Sequence, residues 1–206
     1  MTRLITGHGL EKELACNWKQ FWENYHECLH CPGLHPELSD LVPVYRRGIM
    51  SAAEAMDGAT LDNDLSALRP GARSWTITGA ACGPEFATLT EEQRAAGHLF
   101  VTLLPTQFVL AHVDYVRSVT VRPMGPERTK LSVEWLFAPE TLAQPGLDAS
   151  EVAAFATLVL DQDTAACEMN QRGLRTSRHR HGTLMPQEFD LAHFHTWVMR
   201  QLGAKP

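Results

Sequence analysis

Past residue 72 the hydrophobic period of the chain shifts from about 3.6 to about 2, and that shift limits the folds open to it. Arg73–Thr78, segments within Leu99–Leu104 and Gln107–Val113, then Tyr115–Arg122 and Lys130–Phe137 alternate in character and are rich in β-branched and aromatic residues. Pro123-Met124-Gly125-Pro126 reads as a turn between two of these runs. Strands that follow one another through short turns pair antiparallel, because a parallel pair needs a long crossover. The expectation is an antiparallel sheet of roughly five to seven strands.

Helical patterns flank this region. Trp18, Phe21, Trp22, Tyr25 and Leu29 make one apolar stripe within a helix predicted from about Ala15 to Leu29, and Pro32-Gly33 stops it. A weaker helical segment is predicted over Leu38–Met56, and the polar stretch Asp57–Gly71 reads as a loop. After the strands comes a long helix, about Ser150–Arg172, with Ser150 as N-cap and Gly173 as the residue past its end. A last amphipathic helix spans about Gln187–Leu202, with Phe194, Trp197, Val198 and Leu202 on its apolar side. No repeat or linker divides residues 1–206, so the fold class is α+β in one domain.

Composition removes several classes of partner. The net charge of −6 is mildly acidic and carries no polybasic footprint for nucleic acid or anionic lipid. No apolar stretch approaches a membrane span, and Met1–Leu14 has no secretion-signal pattern, so a cytoplasmic protein is expected. Five cysteines, an odd count, point to free thiols in a reducing compartment.

The histidines carry the chemistry. His30 ends the first predicted helix and His35 lies just past its break. Residues five apart on a continuous helix point to different faces, but the Pro32-Gly33 turn lets the chain curl back so that both imidazoles can meet one ion. A carboxylate from a rigid element would complete a two-His-one-carboxylate triad with open positions for O₂ at iron(II). Leu160-Asp161-Gln162-Asp163 offers two aspartates on the long helix; Asp163 shares its small-residue side with Ala166, Cys167 and Asn170, and Asp161 points elsewhere. Two other readings stand beside this one. Cys28-x₂-Cys31 with nearby histidines is the first half of a structural zinc site, although no second half follows. Isolated histidines are also common on surfaces and in hydrogen-bonded cores without any metal.

Several strings of the sequence resemble one family. Cys16-Asn17-Trp18-Lys19, Glu23-Asn24-Tyr25, Glu27-Cys28-Leu29-His30-Cys31 and His35-Pro36 are similar to the opening of the catalytic domain of Rieske-type ring-hydroxylating oxygenase α subunits. Asp163-x₄-Glu168-x₂-Gln171-Arg172-Gly173-Leu174 resembles the segment bearing that family's iron-binding aspartate, and Phe194-His195-Thr196-Trp197-Val198 resembles its ending.

The resemblance implies a helix-grip domain, a curved antiparallel sheet wrapped on a long helix. It implies mononuclear iron(II) on His30, His35 and Asp163. Glu27 takes the place of the acidic residue that bridges to the Rieske cluster of a neighbouring subunit in a homotrimer. Glu27 with Cys28 and Cys31 looks more like the branch acting on quaternary ammonium compounds than the naphthalene-type branch. The implied partners are O₂, a small organic substrate and a Rieske ferredoxin or reductase. Hydroxylation of an N-methyl group would release formaldehyde. Asn24 is a candidate for orienting a ligand or water, and Phe108, Trp135 and Phe137 are candidate walls of the substrate pocket. His179, Arg180 and His181 are read as a solvated loop.

One departure stands out. A Rieske cluster needs Cys-x-His and then Cys-x₂-His, and Cys-x₂-His occurs nowhere in this sequence. The expectation is a catalytic domain without its Rieske domain: a fragment, a truncated reading frame, or a stand-alone domain served with electrons in trans. The competing expectation is a binding module, a helix-grip cavity that does no chemistry.

Overall fold

The computed structural model describes residues 3–50 and 67–204. Its strands are β1 (Ile5–Leu14), β2 (His98–Leu103), β3 (Gln107–His112), β4 (Tyr115–Gly125) and β5 (Arg128–Phe137). They form one sheet in the order β1-β5-β4-β3-β2, antiparallel throughout, as the alternating segments required. Leu103 and Gln107 pair across the β2–β3 turn, and Gly125 and Arg128 close the β4–β5 turn where the Pro-Met-Gly-Pro signal lies.

Helices cover one face. They are α1 (Trp18–Tyr25), α2 (Cys31–Leu34), α3 (Pro36–Leu41), α4 (Glu91–Ala96), α5 (Pro139–Leu142), α6 (Ala149–Leu174) and α7 (Phe189–Gln201). Val152, Ala153, Ala156, Leu160 and Cys167 of α6 share one buried cluster with Phe21 and Trp22 of α1 and with Val119, Leu131, Val133, Trp135 and Phe137 of the sheet. Burying such side chains contributes roughly 1.5–3 kcal/mol for each large aliphatic or aromatic one.

The structure differs from the sequence reading at several places. β1 was not anticipated: Gly7, Gly9, Glu11, Lys12 and Glu13 give it no hydrophobic alternation, because it is an edge strand, largely open to solvent, that pairs only with β5. Arg73–Thr78 is a tight turn and not a strand; the N–H groups of Arg73 and Ser74 both donate to the Gly79 carbonyl, at 2.6 and 3.1 Å. The predicted Leu38–Met56 helix is α3 followed by a 3-10 turn, Pro43–Arg47, since Pro43 cannot donate to continue the ladder. Its residues 51–56, and residues 57–66 of the predicted loop, lie outside the described residues. The cap of α6 is Asp148, whose carboxylate accepts from the Ser150 N–H at 2.8 Å, and Gly173 lies inside the helix. Helix α4 was missed altogether, although Thr90 and Gln93 form a reciprocal capping box at its start. Residues 179–181 are exposed, in keeping with a solvated loop. Among the described residues, no helix is long and apolar enough to cross a membrane.

Candidate metal centre

The helix carrying Trp18 and Phe21 ends at Tyr25, earlier than its apolar stripe suggested. His26 terminates it: the backbone N–H of His26 donates to Trp22 and Glu23, its Nδ1 bonds the Trp22 carbonyl at 2.7 Å, and its ring stacks on Phe194 at 5.2 Å. Glu27 to His30 then form an irregular segment. His30 is therefore not the end of α1 but the residue that precedes α2, and His35 is the residue that precedes α3. Pro32 and Pro36 stand in the first turns of these two helices, where a missing N–H costs nothing. Two short helices started by prolines thus turn the chain back on itself, and the two imidazole rings come within 5.1 Å of one another.

Asp163, on α6, faces the same point. His35 Nε2 is 2.9 Å and His30 Nε2 is 3.5 Å from Asp163 Oδ1. The outer nitrogens are held as well. His30 Nδ1–H donates to Glu27 Oε1 at 2.5 Å, and His35 Nδ1–H donates to Gln162 Oε1 at 2.7 Å. Gln162 is itself fixed by donating to Glu37 Oε2 at 3.2 Å. Asn24 Nδ2 donates to Asp163 Oδ1 at 2.8 Å, which is the orienting contact expected of it. Asp161 points away and pairs with Lys12 on β1. His35 is buried; the side chains of His30, Glu27 and Asp163 are 20%, 15% and 17% exposed.

Electrostatics follow from this packing. Burial opposes a charge on His30, but the hydrogen bonds and charges of Asp163 and Glu27 outweigh it and raise its pKa to about 9. Burial likewise opposes ionisation of Asp163, yet its hydrogen bonds to His30 and His35 win and hold it at about 2.

The donor set fits a facial ion site. Ligand atoms about 2.1 Å from one ion and at right angles stand about 3 Å apart, the scale of the Nε2–Oδ1 separations. The two Nε2 atoms converge while both Nδ1–H groups are engaged, which is how ligand imidazoles are oriented. Cys31 Sγ lies within 4.8 Å of donor atoms of both histidines, and these three residues, without Asp163, form one group of potential ligand atoms. It is bonded to Cys28, so the Cys-x₂-Cys pair has no thiolate to give a zinc ion. This disulfide corrects the expectation of free thiols throughout; the turn between α1 and α2 sets the two Cα atoms 5.0 Å apart, within bridging reach. Cys16, Cys82 and Cys167 are free.

A cavity of about 90 Å³ adjoins His30, His35 and Asp163. Tyr25, Tyr45, Trp75, Phe100 and Phe108 line it. Phe108 was anticipated as a wall. Trp135 and Phe137 were too, but they are fully buried in the core beneath α6 and do not reach the cavity. Sequence reasoning also passed over Gln162 and Arg117. Gln162 carried a signal, its place beside Asp163 on the same helix.

Residues 1–204 match the family described as the ring hydroxylating alpha subunit (catalytic domain). The chain belongs to this family. Glycine betaine monooxygenase oxygenase subunit of Pseudomonas aeruginosa is 22% identical over 91% of the chain and 49% of its own length. Choline monooxygenase, chloroplastic, of Beta vulgaris is 26% identical over 95% of the chain and 39% of its own length. A solved quaternary ammonium Rieske monooxygenase superposes with a TM-score of 0.63 at 17% identity, covering 96% of this chain and 50% of that one. The terminal oxygenase of carbazole 1,9a-dioxygenase from Nocardioides aromaticivorans does so with a TM-score of 0.55 at 15% identity, over 97% and 58%. The chain spans about half the length or less of the curated relatives it matches. Non-haem iron is the metal that membership in this family implies.

Proposed function

We propose that this domain binds one iron(II) through His30 Nε2, His35 Nε2 and Asp163 and hydroxylates a small quaternary amine. The observation that carries this is the convergence of both Nε2 atoms on Asp163 Oδ1 with both Nδ1–H groups occupied. When bound, iron(II) supplies the O₂ chemistry that amino-acid side chains lack.

The chain's own residues set the stage for it. Glu27 and Gln162 hold the two imidazoles in the tautomer whose Nε2 is free to ligate. Asn24 holds the Asp163 carboxylate by donating to its Oδ1. Tyr25, Tyr45, Trp75, Phe100 and Phe108 offer ring faces that attract a trimethylammonium group, an attraction that strengthens as water is excluded. Hydroxylation of an N-methyl group consumes O₂, two electrons and two protons, places one oxygen atom on carbon and releases the other as water. The resulting N-hydroxymethyl group leaves as formaldehyde, and the amine keeps one methyl fewer.

The electrons come from outside the present sequence, because no Cys-x₂-His is present to complete a Rieske cluster. Glu27 has a partly exposed carboxylate that already binds His30, which suits it as the link between the iron site and a cluster docked by a neighbouring subunit of a homotrimer. Iron content, with formaldehyde release from candidate quaternary amines in the presence of reductase and a Rieske protein, tests the reading. Formaldehyde with a stoichiometric loss of one methyl is expected. An iron-loaded chain that turns over none of them contradicts the substrate class.

A further inference from the structure

The inward positions of β4 are Tyr115, Arg117, Val119 and Val121, alternating with the partly exposed Val116 and Thr120. Three of the four are the core residues that strand periodicity requires there. The fourth is an arginine, 6% exposed, paired in register with Leu110 on β3 and Trp135 on β5. Arg117 has no hydrogen bond and no ion pair among the described residues, and its Nε is buried without a partner. Asp163 attracts it from across the cavity without touching it, and a buried guanidinium that no counter-charge contacts costs stability that a hydrophobe of similar volume would not.

Arg117 lines the cavity beside His30, His35 and Asp163, and no other lysine or arginine does so among the described residues. The acidic side chains lining that cavity are Glu27 and Asp163, and both are engaged by the histidines. Their two negative charges would balance one divalent ion. The charge of Arg117 is then left over, inside a pocket otherwise walled mainly by aromatic and aliphatic side chains. A simple cation entering such a pocket meets that repulsion. A zwitterion brings its own carboxylate to answer it.

We propose that Arg117 anchors a carboxylate on the substrate, so that the cavity selects small amines bearing both a quaternary nitrogen and a carboxylate. This rests on reading the cavity as the substrate site. A guanidinium presents parallel N–H donors that match a carboxylate, and such charge-assisted pairs are among the strongest hydrogen bonds available. The aromatic faces take the opposite end of the same molecule.

Calorimetric titration of the full chain tests this with glycine betaine, the longer γ-butyrobetaine, and choline, which keeps the trimethylammonium group but has an alcohol for the carboxylate. The wild type is expected to bind one of the two carboxylates at least about 10-fold tighter than choline. Arg117→Met should fold at least as well, as its thermal melt will report, and should lose that preference through weaker carboxylate binding, with choline unchanged or tighter. Arg117→Gln serves in its place if the methionine variant does not fold. Unchanged carboxylate binding in the variant overturns the proposal. So does a wild type that binds neither carboxylate, or binds choline as tightly. Iron content measured on the same samples keeps the two readings apart. A wild type without iron that still shows an Arg117-dependent preference breaks the iron-site reading and leaves the anchor standing.

Discussion

A proton and a metal ion compete for the same nitrogen of His30. Without metal, His30 keeps its proton up to about pH 9, because Glu27 and Asp163 both stabilise the imidazolium. A base whose pKa rises on folding adds stability that is complete below the ordinary value of 6.5 and is lost as pH climbs to about 9. His98 and His112 act on the acid side. They face one another across β2 and β3 beside Trp75, and burial lowers His98 to about 4 and His112 well below its ordinary value. Protonation of the unfolded chain then erodes stability as pH falls from 6.5 toward 4. The urea midpoint of metal-free protein is therefore expected to peak near pH 6.5 and fall on both sides, and iron should flatten the alkaline side. A flat acid side would contradict the neutral, buried state of His98 and His112. Glu27→Gln probes the other partner of His30. The variant is expected to bind iron about 10-fold more weakly and, even at saturating iron, to lose turnover driven by a Rieske protein. Full recovery of turnover at saturating iron would reduce Glu27 to a support for His30.

At the scale of elements, the centre depends on how α1 ends and α6 lies. Asn17 caps α1 by accepting from Lys19 N–H at 3.0 Å, and its Nδ2 donates to Pro126 in the β4–β5 turn at 2.5 Å. Its replacement by alanine is expected to lower the unfolding free energy by about 1–2 kcal/mol while iron content stays normal; an unchanged denaturation midpoint would show that the cap contributes nothing. Sequence periodicity recovers β2, β3, β4, β5, α6 and α7. The strand that escapes it is β1, whose polar side chains suit a solvent-exposed edge and leave no alternating pattern. The same distinction holds inside the site. His30, His35 and Asp163 are legible as residue types that share a chemistry, whereas the turn after Tyr25 depends on His26 stacking on Phe194, a contact from the far end of the chain. Arg117 is invisible in sequence because alternation records only that a position faces inward, and the lack of a hydrogen-bonded partner is a fact of three dimensions.

At the scale of the whole molecule, β2, β3, α1 and the turns bearing Tyr45 and Trp75 together supply the cavity's aromatic rings, α6 supplies the carboxylate, and the α1–α3 segment supplies both imidazoles. On the proposed function the electrons come from a Rieske protein, so iron-loaded protein with reductase alone is expected to give no product in a single turnover. Added Rieske protein should restore product; product without it would overturn this division of labour. The central claim is the three-residue iron site, and metal analysis after anaerobic loading with iron(II) tests it most directly. The account predicts one iron per chain in the wild type and less than about a tenth of that in Asp163→Ala, with both proteins folded. A folded wild type that retains no iron, or an Asp163→Ala variant that retains as much, would contradict it.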